Sequence, residues 1–249
     1  MESKYNLPTE TVELPSKGLL YPQDSPLSSG TIEMKYMTAK EEDILTNTNY
    51  IADGTVIDKL LSSLIVDKSI KLDDILVGDK NALMVAIRIL SYGKDYEINR
   101  GGEKVVVDLS KLVNKEVNYD NFKNGINEFT LKLPSTDNTV TIKCLTSKDE
   151  QFILDEIKGN KKFNKDGNTS RTSRLKHLIT SINGVRDKKD IREFVDNYLL
   201  AKDAREIRMF YEALNPDIDL KYNYTYKDGR EEEFDIPIGM NFFWPDTGL

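Results

Sequence analysis

Cysteine and histidine are almost absent from this chain. A single cysteine, Cys144, among 249 residues excludes an internal disulfide and fits a reducing compartment. It sits on the apolar side of an alternating run, where a small buried hydrophobe is expected. The only histidine, His177, has no Cys or Asp spacing around it that makes a metal site, so it reads as a surface side chain. No run of about 18 apolar residues occurs, so no transmembrane helix is expected. Residues 1–10 are polar and lack the apolar core of a signal peptide. P-loop, GxSxG and HExxH patterns are missing, and Gly101-Gly102 lacks the strand-to-helix context of a phosphate loop. Cations are outnumbered, 35 Lys and Arg against 42 Asp and Glu, giving a net charge of −7. That balance argues against a general nucleic-acid binder, whose affinity comes from neutralising phosphates.

What is present looks repeated. Leu14-Pro15-Ser16-Lys17-Gly18 precedes a polar loop and an alternating strand, Ile32, Met34 and Tyr36 on one face. Leu133-Pro134-Ser135 likewise precedes Val140, Ile142 and Cys144. Each strand runs into a helix start, at Thr38 with Glu41 three residues on and at Thr146 with Asp149. Asp reaches back less well than Glu, so the first cap is expected to be the better one. Apolar faces continue the match: Ile57, Leu60, Leu61 and Leu64 against Leu175, Leu178, Ile179 and Ile182. Asp79 and Asp203 each open a further helix, and Gly102 to Asp108 matches Gly229 to Asp235. The spacing between copies grows from 108 residues at Thr38/Thr146 to 127 at Gly102/Gly229, as small insertions produce. The expected fold is α+β, mainly helical, built from two diverged copies of a strand–helices–β-hairpin unit.

The expected organisation is a flexible arm over residues 1–13, a first unit over 14–120 and a second over 121–249. Helices are expected at about 39–48, 56–66, 82–90, 148–158, 174–182, 189–200 and 203–214. Hairpins are expected around Asn99–Gly102 and Asp228-Gly229. The helix at 82–90 is apolar on most sides and belongs at the centre. Residues 158–176 carry Lys158, Lys161, Lys162, Lys165, Arg171, Arg174 and Lys176 against one acid, Asp166, and read as a basic insertion with a loop. Such a run is a solvated surface, a phosphate contact or a dock for an acidic protein. The closing Phe242-Phe243-Trp244-Pro245 either tucks onto the core or anchors a partner. The candidate partner-binding residues are therefore Leu14, Pro15, Ser16, Lys17, Gly18 and Tyr21, then Lys161, Lys162, Lys165, Arg171 and Arg174, then Phe242, Phe243 and Trp244. Acid clusters at Glu41-Glu42-Asp43 and Glu231-Glu232-Glu233 read as a helix first turn and a solvated strand face. No catalytic, cofactor or metal residues are singled out.

The run from Leu14 to Pro22, followed by Met37-Thr38-Ala39-Lys40-Glu41-Glu42-Asp43-Ile44-Leu45, resembles the opening of T4-like phage baseplate hub and hub-assembly proteins. Val77 to Leu83, Arg88-Ile89, Tyr92-Gly93 and Phe242-Phe243-Trp244-Pro245 extend the resemblance over nearly the whole chain. It implies assembly of a contractile-tail baseplate hub in the host bacterial cytoplasm. The partners implied are other hub proteins, with the tape-measure protein as a further candidate, and neither nucleic acid nor membrane. One implied role is a non-enzymatic assembly factor that is left behind. The alternative is a structural hub subunit retained in the virion. Some relatives are expected to carry cysteine pairs at the hairpin tips, as in a small zinc ribbon. Asn99–Gly102 and Tyr226–Gly229 have none, which removes zinc as a support here. A hub-associated cell-wall hydrolase is a third class. It needs two carboxylates about 5–10 Å apart across a cleft, and no local motif singles out a pair.

Overall fold

The computed structural model describes residues 7–163 and 169–243. The chain is α+β, with eight α-helices and small antiparallel sheets among those residues. Strand β1 (Thr9–Glu13) pairs antiparallel with β2 (Thr31–Lys35), Val12 opposite Ile32. The expected loose arm is thus a strand from Thr9 on. Thr9, Thr11 and Val12 are β-branched and suit a pleated ladder. With one apolar residue in the run, the alternation that marks a strand is hidden.

Helix α1 (Ala39–Leu45) starts as its local chemistry dictates: the Thr38 N–H donates to Glu41 Oε2 at 3.0 Å. The helix expected to reach residue 48 stops early. Asn47 Oδ1 accepts from the N–H groups of Asn49 and Tyr50 and opens α2 (Thr48–Asp53). An asparagine cap competes well with helix continuation. Helix α3 (Val56–Leu64) buries Val56, Leu60, Leu61 and Leu64, and Ile65 then bridges to Met34 on β2. Helix α4 (Val77–Tyr92) is buried on several sides, as its apolar composition requires. The hairpin of β3 (Asp95–Arg100) and β4 (Glu103–Asp108) turns at Gly101 and Gly102, with φ of 55° and 81°. Two successive positive φ values are the tight turn that matches strand twist, and glycine adopts them freely.

The second half follows a parallel order. β5 (Phe129–Lys132), β6 (Thr139–Ile142) and β7 (Ile179–Ile182) form a three-stranded sheet in that order. Helices α5 (Ser147–Phe163) and α6 (Ser170–Leu178) lie between β6 and β7 in sequence. α7 (Lys188–Asn197), α8 (Ala201–Leu214) and the hairpin β8 (Lys221–Thr225)/β9 (Glu231–Asp235) complete it. Residues 179–182, expected to be helical, are instead strand β7. Their apolar spacing continues that of α6, but two isoleucines and a threonine in four residues pair well with β6.

The buried residues of the two halves form one continuous cluster. The connecting residues 109–127 are stitched to the far end of the chain: Lys115 N–H donates to Asp217 O and Asp219 N–H to Val113 O, both at 2.8 Å. The starts of α4 and α5 also meet, with Val77 N–H to Leu145 O at 2.9 Å and Ser147 N–H to Ile75 O at 2.8 Å. Gly78 packs against the backbone of Pro216, where an added Cβ would lie 1.9 Å from the carbonyl oxygen.

Candidate docking interface

The N-terminal motif faces inward. Leu14, Pro15, Ser16, Gly18 and Tyr21 are all buried, which removes them from the exposed surface. Lys17 and Gly18 turn the chain with φ of 52° and 76°. A Cβ at Gly18 would lie 2.4 Å from Ser28 O, so only glycine fits the turn. The motif is held by Asp79, in the first turn of α4. Its carboxylate accepts from Ser16 N–H at 2.9 Å, Ser16 Oγ at 2.6 Å and Tyr21 Oη at 2.6 Å. Tyr21 Oη in turn accepts from Leu76 N–H at 2.9 Å. Asp79 therefore does not cap its helix, contrary to the expectation from its position. Burial raises its carboxyl above the ordinary range, and the bonds from Ser16 and Tyr21 only partly offset this. Of the six candidate residues at this end, Lys17 alone is well exposed, its ammonium 3.9 Å from the Tyr119 ring centroid.

The second half repeats the arrangement in reduced form. Asp203 of α8 accepts from Ser135 N–H and Thr136 Oγ1, each at 2.9 Å. It too lies inside its helix rather than at the cap. Asp203 is covered but shallow. Burial acts to raise its carboxyl, yet the Ser135 and Thr136 bonds win and hold it below the usual range.

The aromatic end also turns inward. Phe242 and Phe243 are buried, and Phe242 meets Tyr96 edge-on with centroids 4.9 Å apart. Arg88 fastens this end, donating through Nε to Phe242 O and Nη1 to Gly93 O, both at 3.0 Å, and Nη2 to Asp95 O at 3.3 Å. Trp244 lies outside the described residues.

The basic stretch leaves a surface open. It is mostly helical: Lys158, Lys161 and Lys162 lie in α5, and Arg171, Arg174 and Lys176 in α6. Lys165 lies outside the described residues. Arg171 and Arg174 are exposed and border a groove of about 460 Å³ between α5, α6 and α8. Arg208 of α8, not singled out in the sequence, supplies a third guanidinium. The apolar lining comes from Ile153, Leu154 and Ile157 of α5 and Leu175 and Leu178 of α6. Leu154 is 46% exposed there. Tyr211 forms part of the wall. Its hydroxyl is buried near Arg174 and the Leu145 backbone without hydrogen-bond geometry to either, and burial pushes its pKa well up. Among the described residues none of the three arginines has an ion-pair partner, whereas Glu212 of the rim is bound to Lys115 at 2.5 Å.

Glu156 accepts from Arg192 at 2.7 Å and Ser173 at 3.1 Å, and lies 3.2 Å from His177 Nε2. His177 is thus half-buried in an ion network rather than a free surface side chain. Cys144 is buried in the core, and burial pushes its thiol up to about 12, which makes it a poor nucleophile. Among the described residues no helix is long and apolar enough to cross a membrane.

A family model described as T4 bacteriophage base plate protein matches residues 8–244. That span takes in the buried latch, the arginine-rimmed groove and the aromatic end. No curated protein and no solved structure matches the chain.

Proposed function

Since the chain belongs to the T4 bacteriophage base plate protein family, we propose that it is a non-enzymatic factor promoting formation of the baseplate hub, left behind when the hub is complete. It works by holding other hub proteins, the tape-measure protein being one candidate, in the bacterial cytoplasm. The observation that carries this is the groove of α5, α6 and α8, where guanidinium groups without an ion-pair partner among the described residues border exposed apolar surface. Such surface in a folded protein marks a place for another chain. Most of the described motif residues at the two ends are buried in internal contacts, whereas this groove is open. Two diverged copies of one unit, over 14–120 and 121–249, are part of the reading. The matching Ser16–Asp79 and Ser135–Asp203 bonds support them.

The test is quantitative mass spectrometry of purified finished particles against infected-cell lysate. Abundance in lysate with absence from particles is the expected result. Stoichiometric presence in particles overturns the transient role and makes the protein a structural hub subunit.

A further inference from the structure

We propose that the groove between α5, α6 and α8 takes an acidic amphipathic helix from a partner protein. The proposal deepens the assembly reading and rests on it for the existence of a partner. Shape comes first. The groove is walled by helices, and its α5 side is set by Glu150, Ile153, Leu154 and Ile157. That is an i, i+3, i+4, i+7 ridge about 10 Å long. A ridge of this kind packs against the side-chain rows of another helix. The groove also continues into a second trough of about 450 Å³ between the halves, which shares Glu150, Leu154 and Arg174 with it. The surface therefore suits a helix of several turns rather than a small molecule.

Charge decides what kind of helix. Arg171, Arg174 and Arg208 border the groove, and two acids, Glu150 and Glu212, oppose them. Glu212 is already neutralised by Lys115. The rim is therefore locally cationic on a chain whose net charge is −7. At physiological ionic strength the Debye length is about 8 Å, so the distant negative charges are largely screened while the rim acts on a seated ligand. Guanidinium groups match carboxylates in paired hydrogen bonds, which favours Glu and Asp flanking an apolar stripe. Nucleic acid fits less well, because phosphates gain nothing from the leucines and isoleucines below the rim.

The experiment uses the full chain and two labelled peptides of about four helical turns each. One carries a leucine stripe flanked by glutamates, the other the same stripe flanked by lysines. Fluorescence anisotropy is expected to show saturable binding of the Leu/Glu peptide and none of the Leu/Lys peptide. The triple variant Arg171→Glu, Arg174→Glu, Arg208→Glu is expected to weaken binding by roughly tenfold or more. These side chains are exposed, so its circular dichroism should stay unchanged. Leu154→Glu gives a second, uncharged-to-charged break of the apolar side and should also weaken binding. Absence of Leu/Glu binding, or equal binding of both peptides, overturns the proposal. So does binding that ignores the charge reversal. Self-association lost in the triple variant would make a second copy the occupant and overturn it as well. Peptide binding only after deletion of residues 244–249 would mean that the chain's own tail fills the groove, which equally overturns a partner helix as its occupant. The groove and the transient role fail separately. Peptide binding as expected with stoichiometric presence in particles removes the transient role and leaves the groove. Hub formation supported by the triple variant, with no peptide binding by the wild type, removes the groove and leaves the role.

Discussion

Replacing Asp79 by alanine should be among the most damaging single changes in this protein. The carboxylate accepts three hydrogen bonds, from Ser16 N–H, Ser16 Oγ and Tyr21 Oη. Bonds to a charged group contribute about 1.5–3 kcal/mol each, so the gross loss is about 4.5–9 kcal/mol. Against this, removing a buried charge returns several kcal/mol of desolvation, and burial is the largest influence on this carboxyl. The net cost is about 3–4 kcal/mol, a large part of the roughly 5–15 kcal/mol that stabilises a typical domain. Asp79→Asn keeps the shape and one acceptor and should cost about 1–2 kcal/mol at pH 7. Urea unfolding followed by circular dichroism measures both, as a shift in midpoint at constant slope. Because the folded pKa of Asp79 is raised, its native state holds the proton more tightly than the unfolded chain does. The titration contribution is fully present below the unfolded pKa of about 3.9 and is lost as pH rises through the folded value. The gap between wild type and Asp79→Asn should therefore be wider at pH 4 than at pH 7. A cost under about 1 kcal/mol for Asp79→Ala, against the net of about 3–4 kcal/mol expected, would refute the latch as an energetic feature.

Three further outcomes follow from the same contacts. Gly78→Ala should destabilise by about 2–3 kcal/mol despite alanine's better helix propensity, because its Cβ has only 1.9 Å to the Pro216 carbonyl oxygen; thermal unfolding checks this. Arg88→Met should cost about 2–4 kcal/mol by leaving three backbone carbonyls unbonded, and limited proteolysis should then cut within residues 236–243. Burial acts to raise the Glu156 carboxyl, but bonds from Arg192, Ser173 and His177 outweigh it and hold the pKa below its ordinary value. Its contribution is present above the unfolded pKa and lost as pH falls through the folded one, so Glu156→Gln should flatten the acid side of the stability profile, measured by urea unfolding between pH 3 and pH 7.

Local chemistry is readable in this sequence and long-range chemistry is not. Thr38 with Glu41, the Gly101-Gly102 turn and the apolar face of α3 each act within a few residues, and each is visible in the sequence. Asp79 reads as a helix cap because its partner Ser16 lies 63 residues away. Residues 179–182 read as the end of a helix because only pairing with β6 makes them a strand. Arg171 and Arg174 stand out as part of a basic run, but Arg208 joins them only across the groove that α6 and α8 border. One signal is available: α5 carries Phe152, Ile153, Leu154 and Ile157, more apolar width than one core face uses, and Phe152 and Leu154 are both exposed. Leu14, Pro15, Tyr21, Phe242 and Phe243 have the residue types of a docking element, yet they are buried in the chain's own interior.

The contact of Gly78 with Pro216 also sets a clock. Translation proceeds at about 5–20 residues per second, so the 138 residues between them separate the two partners by roughly 7–30 s of synthesis. During that interval α4 has been made but the backbone that covers its first turn has not. The groove between α5, α6 and α8 is also late relative to α4, since Arg208 and Tyr211 follow it in the chain. A chain terminated before α8 thus lacks one wall of that groove.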